Sequence, residues 1–184
     1  NGDTYKGEWV NDKRNGNGTF IFADEGVHTG NWKDNKLNGR GLQTWANGDS
    51  FEGEWLNGKK SGQGIYRWAD DSVYEGSFKH DLINGYGVKT WSDGEKYEGQ
   101  WKDGKFEGRG TFTKKDGSAH SGEYKEGKKH GAGTFKYANG DKVEGRWVND
   151  RLNGKGILYY ADGRANTKEW KNGKDLSPGA KLNL

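Results

Sequence analysis

The amino-acid sequence predicts an all-β protein made of β-hairpins that repeat every 23 residues and extend as a rod or trough, not a ball. Three observations carry that expectation. One column reads Trp9, Trp32, Trp55, Phe78, Trp101, Tyr124, Trp147 and Trp170, aromatic in every copy with no insertion or deletion between them. A glycine stands two residues before seven of those rings, from Gly7 to Gly145, with Lys168 in the eighth place. No segment carries apolar residues at the 3.6-residue period of a helix. A fixed period of this length is the signature of a repeat architecture, and it outranks any local propensity.

Each copy divides into the same parts. In the first strand Tyr97, Gly99 and Trp101 alternate with Glu98 and Gln100, the period of two that a half-buried strand requires. "KDGK" from Lys102 follows, and Asp-Gly supplies the positive φ of a tight hairpin turn. A Gly-x-Gly pair, Gly108 and Gly110 in this copy, leads into the second strand "GTFTK". An Asp or Asn step, usually followed by Gly, turns the chain into the next copy at Asp24, Asn47, Asp70, Asp93, Asp116, Asn139 and Asp162. Seven full repeats and a half result, or fifteen strands. The glycines predict close approach, because a ring from a neighbouring strand can lie flat on a backbone that has no side chain. Stacked hairpins then stabilise one another through shared ring contacts.

Composition sets the limits. Only 29% of the residues are hydrophobic, which alone would predict disorder. Aromatics are 14%, with nine Trp and 33 Gly at fixed places, so the expectation is a thin sheet held by rings. Thirty basic and 27 acidic residues give a net charge of +3, too balanced to argue for nucleic acid. With no Cys, neither a disulfide framework nor a thiolate metal site is available. No apolar run reaches the length of a membrane helix. The chain has no Met and opens inside the pattern at "NGDTY", as expected of a piece of a longer protein.

Residues able to do chemistry are few. His28 and His120 replace a repeat aromatic and are expected to pack as one, while His80 and His130 are expected in turns. No pair has metal-ligand spacing with acidic support, and Gly-x-Gly lacks the following helix that a phosphate loop needs. No catalytic residue, metal or cofactor is therefore expected. A single-layer sheet leaves rings partly exposed on one side, and such a strip marks a partner surface. The expected groove holds Phe51, Trp55, Tyr74, Phe78, Tyr97, Trp101, Tyr124 and Trp147, and suits an extended or helical peptide of a protein partner. A basic column in the hairpin turns, Lys13, Lys36, Lys59, Lys105, Lys128 and Arg151, with Leu82 as the break, could meet an anionic membrane surface or an acidic partner. Open sheet ends make a homodimer a reasonable expectation. Thr19, Leu42, Ile65, Val88 and Ile157 could give the opposite face a core of its own.

The stretches "FEGEWLNGKKSGQG" from Phe51, "YEGQWKDGKFEGRG" from Tyr97 and "EGKKHGAG" from Glu126 resemble the MORN (membrane occupation and recognition nexus) repeat family. The resemblance covers residues 1–174 as one repeat domain, with 175–184 ("DLSPGAKLNL", holding Pro178) as a cap or tail. It departs at Asp71 and Glu25 in the turn-Gly place, at His28 and His120 in the Tyr place, and at "NTKEW" from Asn166. It implies an elongated, twisted single-layer antiparallel sheet, an open solenoid-like rod with an aromatic groove and no catalysis of its own. The expected function is a non-enzymatic scaffold or adaptor, cytoplasmic, at a cytoskeleton–membrane junction. Two alternatives stand beside it. One is a peripheral phospholipid (phosphoinositide)-binding module using the turn lysines. The other is the targeting region of a larger enzyme, such as a SET methyltransferase or lipid kinase.

Overall fold

The computed structural model describes residues 2–177, and every regular element among them is a strand. In chain order they are β1 (Thr4–Val10), β2 (Lys13–Ile21), β3 (Val27–Lys33), β4 (Lys36–Thr44), β5 (Ser50–Leu56), β6 (Lys59–Arg67), β7 (Val73–Lys79) and β8 (Leu82–Thr90). Then follow β9 (Lys96–Lys102), β10 (Lys105–Thr113), β11 (Ala119–Lys125), β12 (Lys128–Lys136), β13 (Lys142–Val148), β14 (Arg151–Tyr159), β15 (Ala165–Lys171) and β16 (Lys174–Asp175). The fold is a single open antiparallel sheet of hairpins whose strand order is the sequence order. Among the described residues there are sixteen strands where fifteen were expected, because the half repeat continues past its turn into the two-residue β16. The chain forms two compact units, Asn1–Ser92 and Asp93–Leu184.

Both turn types follow from the residues. At the tips, Asn57 and Gly58 have φ of 52° and 81°, and Asp103 and Gly104 have 49° and 78°, the two positive values of a type I′ hairpin. Between hairpins, the Gly117 amide donates to the Lys114 carbonyl at 2.9 Å, and the Asp116 carboxylate accepts from the Ser118 amide at 2.8 Å. Glu25 and Asp71 hold the glycine place of this turn at φ of 71° and 68°, so the turn persists there with a strained residue.

The two glycines of Gly-x-Gly serve different ends, a refinement of the single ring-packing reason expected from sequence. Within each full hairpin the strand pair slips register after its central glycine, for example between Gly53 and Trp55, whereas pairs between hairpins keep register, as from Gly39–Trp55 to Thr44–Ser50. The first glycine, Gly62 here, absorbs that bulge at φ of 66°. The preceding strand's acidic or amide side chain covers it: Glu8 accepts from the Asn17 amide at 2.9 Å, and Gln100 from the Arg109 amide at 3.0 Å. The second glycine takes the ring. A methyl built on Gly64 would stand 2.5 Å from Phe51 Cζ, and one on Gly41 2.7 Å from His28 Nε2.

The rings of these repeat columns therefore share one face. Phe51, Tyr74, Tyr97 and Val143 are fully buried, and His28 and His120 join them, as expected of histidines in a ring column. The opposite face carries no second core among the described residues. Leu42 and Ile157 are 44% and 37% exposed, and the Thr111 and Ser121 hydroxyls face each other there at 2.8 Å. His130 lies in β12 opposite Glu123, not in a turn, because that turn is only two residues long. At the carboxyl end Lys168 pairs with Asp175, and the Ser177 amide donates to Asp175. Pro178 and the rest of the expected cap lie outside the described residues.

Candidate functional site

The ring-bearing face is layered. Its floor consists of the eight residues expected to line a groove: Phe51, Trp55, Tyr74, Phe78, Tyr97, Trp101, Tyr124 and Trp147, none more than 6% exposed. Each column clamps the next. The Trp55 indole donates to the Gly41 carbonyl of the preceding hairpin at 3.4 Å, and Phe51 meets Trp55 and Phe78 edge-on at 5.2 and 4.9 Å. The Tyr74 hydroxyl donates to the Ser77 carbonyl at 3.1 Å, and burial lifts its pKa to about 12. These side chains hold the hairpins together and have little surface left to offer.

What stands on the floor is a second ring set, from the far end of each hairpin. In the first unit Trp45 stacks on Tyr66 at 5.6 Å, and Tyr66 meets Trp68 at 4.6 Å. All three are half-buried. The Tyr66 hydroxyl donates to Asp49 at 2.8 Å, and burial first, then that carboxylate, raises its pKa. In the second unit Phe112, Phe135 and Tyr137 hold the same places, with Phe106 stacked on Tyr97 at 3.8 Å. This column was legible as Trp45, Trp68 and Trp91, again 23 residues apart, but only the structure sets it above the floor.

Cations lie among these rings. Arg14 sits 4.6 Å from the Phe20 and Trp32 ring centres. The Lys60 ammonium is 5.0 Å from Tyr66 and 5.2 Å from Trp45, Lys89 is 4.1 Å from Trp68, and Lys129 is 4.6 Å from Trp147. Burial lowers the pKa of all three lysines, and neighbouring Asp residues only partly oppose it. The sequence hides a rule behind three of these positions. Where the second residue of a hairpin's returning strand is cationic, the residue 21 places on is Asn or Asp and accepts from its amide: Arg14 to Asn35, Lys60 to Asp81 and Lys129 to Asp150, each at 2.9 Å. Where it is apolar, as at Leu37, Phe106 and Leu152, the partner is Gly58, Gly127 or Gly173, which donates its own amide to the apolar residue's carbonyl.

The expected basic column is exposed at Lys13, Lys36, Lys59, Lys105, Lys128 and Arg151, and Lys13 reaches Asp34 at 3.4 Å. His28 and His120 have no protein partner for either ring nitrogen. Burial lowers both to a pKa of about 4. Gln43, across the strand pair, opposes this for His28 without reaching hydrogen-bond geometry, and Lys129 adds to the depression of His120. Among the described residues no cluster of His, Asp and Glu is arranged to hold a metal, and no helix is long and apolar enough to cross a membrane.

A single-sheet array of hairpins with a packed ring floor and a half-buried ring layer defines a β-repeat domain. The MORN repeat profile matches residues 5–27, 28–50, 51–73, 74–96, 97–119, 120–142 and 144–163, and the chain belongs to that family. No curated protein gives a significant sequence match. Among solved structures, the chain is similar to the SAS-4 (dCPAP) TCP domain of Drosophila melanogaster in complex with a proline-rich motif of Ana2 (dSTIL), at TM-score 0.52 and 12% identity, over 90% of this chain and 95% of that one. It is also similar to the wild-type TCP10 domain of Danio rerio CPAP, at TM-score 0.50 and 14% identity, over 88% of this chain and 76% of that one. At these identities the likeness is one of fold.

Proposed function

We propose that this chain is a protein-binding scaffold that docks an extended, proline-rich segment on its ring-bearing face, without catalysis of its own. The observation that carries this is the half-buried layer of Trp45, Tyr66 and Trp68 above a floor already satisfied by its own contacts. Stacked and tilted rings offer the flat grooves into which polyproline II turns fit, and such a segment is pre-extended and loses little entropy on binding. The similar SAS-4 domain, solved with a proline-rich motif, supports the choice of ligand class. A cytoplasmic, cytoskeleton-associated location is part of the proposal and rests on the family.

The test is a tryptophan-fluorescence titration of the whole chain with short proline-rich peptides. Trp68→Ala is expected to stay folded by circular dichroism and to weaken binding by about ten- to a hundredfold, the range of an interface anchor. Trp55→Ala is expected to unfold its neighbourhood. Unchanged affinity in a folded Trp45→Ala/Trp68→Ala double variant would overturn the reading.

A further inference from the structure

We propose that the docked segment is acidic as well as proline-rich, and that one of its carboxylates anchors in a cleft of the second unit, between Lys114 and Lys129. The inference rests on the peptide-binding reading above and names the partner's charge.

It starts from ammonium groups that have left water without gaining an anion. Lys60, Lys89 and Lys129 are each half-buried against rings, yet none forms an ion pair among the described residues. The nearby acids are committed elsewhere. Asp81 and Asp150 accept from the backbone amides of Lys60 and Lys129. Asp49 takes the Tyr66 hydroxyl and the Ala69 amide, and Asp70 takes the Ser72 amide. A ring face returns only part of the lost solvation. A carboxylate brought by a partner would return more, because charge-assisted bonds strengthen where water is excluded.

The second unit adds a place for that carboxylate. A cleft of about 200 Å³ is walled by Phe106, Phe112, Tyr124 and Phe135, with Lys114 and Lys129 at its sides. That volume suits one side chain. His120 lines it, is 2% exposed, and has no partner for either ring nitrogen. The imidazole lies against the Gly133 backbone as part of the cleft's inner wall, so the two ammonium groups are the donors for one anionic group, within walls that take the proline or apolar residue next to it. Asp150 is the one acid lining the cleft, so the balance of charge is positive.

The experiment measures fluorescence anisotropy of labelled peptides built from repeated Pro-Pro-Glu, Pro-Pro-Gln or Pro-Pro-Lys against the whole chain at physiological salt. The acidic peptide is expected to bind about tenfold more tightly than the neutral one, and the basic one more weakly than either. Lys129→Met keeps the apolar stem over the rings. It should weaken the acidic peptide about five- to tenfold and leave the neutral one unchanged, while Lys128→Met in the exposed turn should change neither. If the neutral peptide binds as tightly as the acidic one, or Lys129→Met acts no more than Lys128→Met, the charge inference is lost. Should the neutral peptide still depend on Trp68 in that case, the peptide-binding reading survives it. If none of the three peptides binds, both are lost.

Discussion

The two buried histidines give the most quantitative forecast. In the unfolded chain an imidazole takes up its proton near pH 6.5, whereas in the fold His28 and His120 resist protonation until about pH 4. Between those values the unfolded state binds more protons, so stability is greatest above pH 6.5 and falls as the solution is acidified. From about pH 7.5 to about pH 5.5 each histidine costs about 1.3 kcal/mol of folding free energy, and the pair about 2.6 kcal/mol where both units unfold together. That is a large share of the 5–15 kcal/mol typical of a folded domain. The perturbation is His28→Phe/His120→Phe, because phenylalanine already occupies this column at Phe51, over the same kind of glycine. The assay is urea unfolding of both proteins at the two pH values. His80 and His130 are present in both and cancel in the comparison. Wild type should lose stability on acidification and the double variant should lose far less, with the variant also the more stable at the higher pH because four orphaned ring nitrogens are gone. An equal loss in both proteins would refute the reasoning, since the imidazoles would then be reaching water or a partner that the packing denies them.

Other outcomes follow from the same geometry. Gly64→Ala pushes a methyl against the Phe51 ring and should destabilise the first unit by about 1–3 kcal/mol in thermal unfolding. Gly94→Ala meets no atom within 4 Å but holds φ at 91°, so its cost should be backbone strain alone, on the order of 1 kcal/mol, by the same assay. Asp150→Ala removes the acceptor of the Lys129 amide and should cost about 1 kcal/mol by urea unfolding. Asp81→Gly, which installs the amino acid used after apolar partners such as Leu37, should cost less than Asp81→Ala, because glycine relieves the positive φ of 72°.

By itself the sequence determined the period, the hairpin and both turns. Those features are local: positive φ at Asp103-Gly104, alternation through Tyr97, Gly99 and Trp101, and a turn signal every copy. It also placed His28 and His120 in the ring column, because register alone requires it. What it could not decide was depth. Period-two alternation says which residues share a face, not which of them lie beneath the others, so Trp55 and Trp101 read as partner contacts when they are floor. The register slip before each Trp column separates the two glycines of Gly-x-Gly and brings residues 21 places apart into hydrogen-bond contact. The pairing of Lys60 with Asp81 was therefore written in the chain but readable only once the hairpins were stacked. The cationic ring face is likewise a tertiary fact. Lys60, Lys89 and Lys129 look like any other lysines of a balanced composition until packing takes them out of water and leaves their charge on aromatic faces, where an anion can find them.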